Sequence, residues 1–235
     1  MKTRLLAAAL GLSIVSTAGS AGAAIIVENI VSGSEVSTFN SISPNFYAGT
    51  LSDGGATYGE SFAGQTVSTD AGGRDTLSGA PSAPLTLQTD PVANRNLGIL
   101  SVGDNVIYGA GGSVSDGDGA ISVLFDQLTD VVSFDMIGSN GGGTFTVDFF
   151  GASGALLDSI TQSTNDQLFG FRVTSGDLIH GISITNTDSG GVGYDDVRFN
   201  LRGAPEITQV SEPSMIILLG LGVLGLGIAR RRKAI

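Results

Sequence analysis

Six segments in the second half of the chain alternate apolar and polar residues with a period of two. This period places successive side chains on opposite faces of an extended strand, so each segment predicts a strand with one buried face. Turn-forming Gly, Asn, Asp and Ser residues separate the segments by about 8–14 residues, as in antiparallel sandwiches. The residues predicted to face the core are Ile121, Val123 and Phe125, then Val132, Phe134 and Met136, then Phe145, Val147 and Phe149, then Phe169, Phe171 and Val173, then Ile182 and Ile184, and finally Val197 and Phe199.

The first half of the chain is less regular. Residues 25–31 predict an opening strand, and residues 85–87, 97–101 and 106–108 predict further short ones. Residues 32–83 are rich in Gly, Ser, Thr and Asp, which predicts long loops with one or two short strands. No segment before residue 212 sustains a helical period over three turns. We therefore predict an all-β fold for residues 24–209, an antiparallel β-sandwich or a jelly-roll-like domain.

The N-terminus has the three parts of a secretory signal peptide, predicted over residues 1–23. Lys2 and Arg4 precede an apolar run at residues 5–15, and a small-residue cleavage site follows at residues 21–23. The apolar run has 11 residues, too few to cross a bilayer stably. The sequence thus predicts an exported protein.

The C-terminus carries a second apolar segment, 15 residues without a charge at positions 215–229. As a helix it would span roughly 22 Å, short of the roughly 30 Å hydrocarbon core, so it predicts a marginal transmembrane helix. A basic stop follows directly and should remain cytoplasmic, which leaves the preceding chain outside. The basic stop consists of Arg230, Arg231, Arg232 and Lys233.

A short polar motif precedes this helix and consists of Val210, Ser211, Glu212, Pro213 and Ser214. The order of polar motif, thin hydrophobic helix and basic stop over residues 210–235 resembles the PEP-CTERM sorting signal of Gram-negative bacteria. Glu212 and Pro213 match its motif, and Ser211 stands where the first proline is expected. The resemblance implies processing by an exosortase at the inner membrane and delivery to the cell surface or the extracellular polysaccharide matrix.

Composition and charge exclude several classes of function. The chain has no cysteine and one histidine, which excludes disulfides, thiol catalysis and metal sites built on several such ligands. Residues 25–209 carry five arginines and no lysine against 21 acidic residues, a net charge of −16. Such a surface repels phosphate backbones, so we expect no nucleic-acid partner.

Two pairs of carboxylates are candidate ligands for a structural calcium ion. Asp116 and Asp118 lie in a Gly-rich turn predicted at residues 115–119, and Asp195 and Asp196 lie in the last predicted strand, pointing to opposite faces. The alternative is that the turn aspartates bond their own backbone. No other cofactor is expected.

Catalysis and ligand binding have few candidate residues. No nucleophile elbow is present, and among 21 acidic residues some pair meets a glycosidase spacing by chance, so we expect no enzyme. Tyr47, Tyr58 and Tyr108 are the candidate platforms on which a sugar ring would stack, with packing roles as the alternative for each. The sequence favours a structural or adhesive protein of the cell surface or matrix. The alternatives are a carbohydrate-binding module and, less favoured, a secreted hydrolase.

Overall fold

The computed structural model describes residues 23–29, 33–88, 96–111 and 116–200, apart from the Asp116 side chain, and this part of the chain contains strands and no helix. The strands are β1 (Ala24–Glu28), β2 (Glu35–Ser37), β3 (Asn45–Tyr47), β4 (Leu51–Asp53), β5 (Ala56–Gly59), β6 (Thr66–Thr69), β7 (Asp75–Ser78), β8 (Leu97–Ser101), β9 (Asn105–Ala110), β10 (Asp116–Gly119), β11 (Ile121–Thr129), β12 (Val131–Ile137), β13 (Thr144–Phe150), β14 (Leu156–Ser163), β15 (Gln167–Ser175), β16 (Ile179–Asn186) and β17 (Gly193–Phe199).

Two antiparallel sheets form a sandwich, which confirms the predicted fold class. Sheet A has the order β1-β15-β12-β17-β9-β8-β3, with β2 paired to β17 and β10 paired to β9. Sheet B has the order β14-β13-β16-β11-β5-β4, and β6 and β7 form a separate hairpin. From β11 to β17 the chain passes repeatedly from one sheet to the other, so strands far apart in sequence become neighbours.

An aromatic cluster fills the space between the sheets. The ring of Phe134 lies 5.3 Å from that of Tyr194 and about 6 Å from those of Phe145, Phe169 and Phe171, measured between centroids. Aromatic pairs at such separations add about 0.5–1.5 kcal/mol each beyond the burial of their apolar area. Packing between the sheets therefore stabilises the sandwich mainly through its second half.

The period-two pattern correctly predicted which residues of the six segments form this core. Every residue predicted to face inwards from the six segments is buried in one hydrophobic cluster, except Val173, which packs against it partly exposed. The predicted strand at residues 97–101 has the observed bounds, and the predicted strand at 106–108 extends to Asn105–Ala110.

The first half holds more strands than predicted. Six strands of three or four residues, β2 to β7, lie where long loops with one or two strands were expected. Residues 85–87 form only an isolated bridge between Leu87 and Phe62. The opening strand ends at Glu28, earlier than predicted.

The sandwich has two unlike flanks, each formed by one outer strand from each sheet. On the β1/β14 flank the outer strands have five and eight residues and lie against each other. On the β3/β4 flank both outer strands have three residues and follow each other closely in the chain. Short outer strands offer little backbone for pairing with another chain, so the two flanks differ in their capacity to associate.

The signal peptide, the sorting motif, the C-terminal helix and the basic stop lie outside the described residues. Within the described part of the chain, no helix has the length and apolar character needed to cross a bilayer.

Candidate functional sites

Two of the three candidate sugar platforms are buried, which corrects their assignment. Tyr58 has 0% of its surface exposed, and burial raises the pKa of its phenol above the usual value. Tyr108 is also buried, with its ring packed over Gly98 and edge-on to Phe46. A ring enclosed in this way has no face on which a sugar can stack, and both residues take the packing role.

Tyr47 is half-buried at the end of β3, the three-residue outer strand of sheet A. Its hydroxyl donates a hydrogen bond of 2.6 Å to the carbonyl of Ser43, four residues earlier. This bond anchors the loop before β3. The platform role of Tyr47 stays a prediction.

Residues 116–119 of the predicted Gly-rich turn at 115–119 form strand β10, so the first pair of calcium candidates does not lie in a flexible loop. The Gly117 carbonyl accepts hydrogen bonds from the Val192 amide and the Asn186 side chain, at 3.2 and 2.9 Å. Asp118 is 6% exposed. Strand pairing with β9 and these bonds fix the backbone that was expected to wrap around an ion.

The second pair, Asp195 and Asp196, lies at a bulge in β17. The register against β12 shifts by one residue between Ser133 and Asp135, and Asp196 has a φ of 49°. Both neighbours of the pair, Tyr194 and Val197, are buried in the core. Because two residues therefore separate consecutive inward positions, the prediction that the two aspartates point to opposite faces is wrong, and both lie on the outer side of sheet A.

The bulge places Asp195 and Asp196 beside Asp135 on that outer face, and we call these three acidic residues the Asp195 row. Asp195 lies opposite Asp135 on β12, and Arg198 bridges Asp135, at 3.1 Å, to the carboxylate of Asp196. Partial burial raises the pKa of the Asp195 carboxyl, and the neighbouring charges of Asp196, Asp104 and Asp135 raise it further. The row thus holds more negative charge than its one arginine neutralises.

In residues 23–29, 33–88, 96–111 and 116–200, excluding the side chain of Asp116, no three Asp, Glu or His side chains are grouped as metal ligands. The three described candidates Asp118, Asp195 and Asp196 therefore do not converge as a ligand set. Calcium binding stays a prediction.

A contrasting carboxylate, Asp188, organises the turns at one end of the sandwich. Its carboxylate accepts hydrogen bonds from the hydroxyls of Ser139 and Thr164, at 2.8 and 2.7 Å, and from the amide of Gly190, at 2.9 Å. Burial would raise the pKa of Asp188, but the bonds from Gly190, Thr164 and Ser139 outweigh burial and hold the pKa below the usual value. We call this group the Asp188 cluster; it joins the β12–β13, β14–β15 and β16–β17 turns.

An apolar groove lies at the same end of sheet A. It has a volume of about 170 Å³. Its rim includes the exposed side chains of Leu100 and Val102, from the β8–β9 hairpin, and its floor includes Val192 and the glycines around it.

A second groove, of about 260 Å³, lies on the outer face of sheet B beneath the β6–β7 hairpin, and its lining is more apolar than polar; we call it the sheet B groove. Gln65, Asp148 and the exposed Leu156 contribute to its walls. Asp148 accepts a 2.6 Å hydrogen bond from the hydroxyl of Ser159, and the hydroxyls of Thr146 and Thr161 pair at 2.8 Å one row further along. The groove thus opens onto a face lined with hydroxyl groups.

Neither groove was predicted from the sequence. The sheet B groove joins residues 65 and 148, which only sheet pairing brings together. The one available signal was the alternation of Thr144, Thr146 and Asp148 with buried phenylalanines and valine, which marks them as the outer face of β13.

Comparison with known proteins decides the nature of the C-terminal segment. The family model for the PEP-CTERM protein-sorting motif matches residues 209–233. The chain carries a PEP-CTERM sorting motif. The motif implies an exported protein that is sorted by exosortase and is anchored in the membrane before processing.

Outside the PEP-CTERM segment the comparisons add little. No curated protein matches the chain. Among solved structures, a family 29 carbohydrate-binding module complexed with mannohexaose is 15% identical, covering 66% of this chain and 87% of its own, with a TM-score of 0.30. A likeness of that size carries no argument about what this chain binds.

Proposed function

We propose that this PEP-CTERM protein is a non-enzymatic structural or adhesive component of the cell surface or extracellular matrix, released from its membrane anchor by exosortase. The sorting motif at residues 209–233 is the observation that carries the proposal. The N-terminal pattern of charge, apolar run and small residues supports export. The net charge of −16 on residues 25–209 supports solubility in a hydrated matrix.

Deletion of residues 210–235 tests the destination. We expect the full chain to pass through the membrane fraction and then reach the surface or matrix, and the truncated chain to remain in the periplasm. Fractionation of the host with antibodies against the sandwich measures both. Equal amounts of the two chains at the surface would contradict the proposal.

Point variants test the processing step. Pro213→Ala should abolish cleavage, and Ser211→Pro, which completes the family motif, should accelerate it. Ser214→Ala is the matched control, since it changes the neighbouring position without altering the Glu-Pro pair. The measurement is the ratio of processed to unprocessed chain on a gel after a pulse of synthesis. Unchanged cleavage in Pro213→Ala would contradict exosortase recognition of this motif.

The sheet B groove favours a second candidate function, binding of a matrix polysaccharide. Asp148 and the adjoining hydroxyls supply the donors and acceptors that sugar hydroxyls need, and Leu156 supplies an apolar surface, 57% exposed, for a ring face. The volume of about 260 Å³ lies just below the usual range of about 300–1,000 Å³ for ligand pockets. A groove of this size would hold a small part of a chain.

Affinity electrophoresis tests this second candidate. Mobility of the full chain should fall in gels that contain the exopolysaccharide of the host, and Asp148→Ala together with Leu156→Ala should restore it. Leu100→Ala, in the apolar groove, is the matched control. If all variants migrate as slowly as the full chain in these gels, the polysaccharide binds elsewhere on the protein. If the full chain is not slowed at all, polysaccharide binding is contradicted.

A further inference from the structure

Strand β1 presents an unguarded edge. It pairs with β15 on one side, and within the described residues no strand pairs with its other side. Such an edge offers backbone N–H and C=O groups to any extended strand alongside, and proteins usually guard it with lysine, proline or a very short strand. The sequence Ala-Ile-Ile-Val-Glu over Ala24–Glu28 has five residues and neither lysine nor proline.

The strand beside this edge exposes apolar side chains. Ile26 and Val27 are 44% and 43% exposed. Val27 lies opposite the buried Phe171 and so faces the core side of sheet A, yet nearly half of its surface is accessible. The partly buried Leu157 and Ile160 of β14 pack against the same core.

The edge itself carries no net charge. Glu28 is the one charged residue of β1, and the Arg172 guanidinium lies 3.0 Å from both of its carboxylate oxygens. The strand therefore adds no net charge to a body whose net charge is −16 over residues 25–209. Two copies that approach through β1 bring no unpaired like charges of that strand together.

We propose that two copies of the exported chain associate by antiparallel pairing of β1 with β1 about a twofold axis at Ile26. In this register Ile25 lies opposite Val27 of the second copy, and Ala24 lies opposite Glu28, so no like charges face each other. About a twofold axis each copy presents the same residues to the interface, as in most homodimers. The pairing rests on the proposed function, because export brings the copies together at one membrane.

The membrane anchor increases the fraction of chains that a short interface can hold as dimers. Pairing of five residues buries less than the roughly 1,600 Å² of a standard interface, so association of free chains is weak. Copies held on one surface meet at a much higher effective concentration, which turns weak edge pairing into a populated contact. Sheet A then continues across two molecules.

Cysteine cross-linking tests the pairing cleanly because the chain contains no cysteine. Ile26→Cys places the two thiols opposite each other at the axis, where Cβ atoms of facing residues are about 4.5–5.5 Å apart, close to disulfide distance. The purified full-length chain, reconstituted into phospholipid vesicles so that the copies share one membrane, is oxidised with copper phenanthroline, and dimer is measured on a non-reducing gel. We expect dimer to form about tenfold faster than from Val102→Cys, because paired strands hold the thiols at a high effective concentration.

Val102→Cys is the matched control because Val102 is 57% exposed and lies beside the apolar groove, the competing surface. Adding Val27→Lys to Ile26→Cys should abolish the difference, since a lysine guards the edge, while the circular dichroism spectrum of the folded chain is retained. Equal rates at the two positions, a faster rate at Val102→Cys, or cross-linking unaffected by Val27→Lys would each overturn the pairing.

Fractionation of cells that express Ile26→Cys separates this result from the proposed function. Cross-linking of the purified chain, with the cellular chain retained in the cytosol, would leave the pairing intact and contradict export. Delivery to the surface without cross-linking in either setting would contradict the pairing alone.

Discussion

The Asp188 cluster and the Asp195 row show two opposite uses of a carboxylate in one acidic protein. Asp188 is buried and accepts hydrogen bonds from Ser139, Thr164 and Gly190, which lower its pKa. Asp195 is half-buried, and its acidic neighbours add to the effect of burial and raise its pKa. The first favours its charged form in the folded state, and the second disfavours it.

The difference teaches that burial alone does not decide the state of an acid. Asp188 is the more enclosed of the two, yet it is the one whose charge stabilises the fold, because donors from three turns surround it. Donors are scarce along the outer face of β12 and β17, where only Arg198 bridges Asp135 and Asp196.

The largest effect is expected from Asp188→Ala. The substitution removes three bonds to an ionised acceptor and leaves their donors without it, which should lower the free energy of unfolding by about 2–4 kcal/mol. Thermal unfolding of the detergent-solubilised chain, followed by near-ultraviolet circular dichroism, measures the loss. Asp166→Ala is the control, because exposed Asp166 accepts only a bond from the Ser139 amide and should cost less than about 1 kcal/mol. Equal losses would contradict the central role of Asp188.

The contribution of Asp188 should depend on pH. Because its pKa is lower in the folded state than in the unfolded state, its stabilisation is present above the unfolded pKa of about 4 and is lost as the pH falls through the folded pKa. The difference in unfolding free energy between the native chain and Asp188→Asn should be constant from about pH 7 to pH 5 and shrink below about pH 4. If the difference in unfolding free energy is the same at pH 2 as at pH 7, the contribution of Asp188 comes from the shape of its side chain and not from its charge.

A smaller effect of opposite sign is expected from Asp195→Asn. A raised pKa in the folded state costs stability as the pH rises above the unfolded pKa, so removing the charge should stabilise the protein at pH 7 and change nothing near pH 3. Asparagine keeps the oxygen that accepts the Asp196 amide. The gain should stay below about 1 kcal/mol, since solvent screens a half-exposed group. Asp177→Asn, at an exposed turn, is the control; a loss of stability in Asp195→Asn would contradict the repulsion.

The smallest effect concerns divalent cations. Magnesium and calcium chlorides at equal concentration should raise the melting temperature slightly and equally, because screening of the Asp195 row does not require a ligand set. Chelator should reverse both effects. A rise specific to calcium would instead support the predicted ion near Asp116 and Asp118.

The parts of the fold that follow from local pattern were predictable, and those that depend on long-range pairing were not. The inward faces of β11, β12, β13, β15, β16 and β17 were correct because a buried face imposes a period of two on a strand of seven to nine residues. Strand β14 was not predicted, and none of its residues is fully buried. Strands of three or four residues, such as β3 and β4, contain too few positions to show a period. The bulge at Asp196 reversed the expected direction of one side chain, which alternation alone cannot foresee.

In the candidate sites, too, local features were predictable and long-range contacts were not. The sequences around Ser139 and Asp188 were recognisable as turns, but the hydrogen bond between these residues forms only when β12, β13, β16 and β17 are placed in two sheets. The sorting motif was recognisable at once, because its parts are contiguous in the chain.

The three-residue strands at the β3/β4 flank have a consequence for assembly. In the proposed dimer, pairing uses the β1 edge of sheet A on each molecule, and the opposite end of that sheet's strand order presents only Asn45–Tyr47. A twofold contact closes on itself, so repetition of this contact does not extend sheet A beyond two molecules. A larger network would need a different surface, such as the eight-residue outer strand β14 of sheet B.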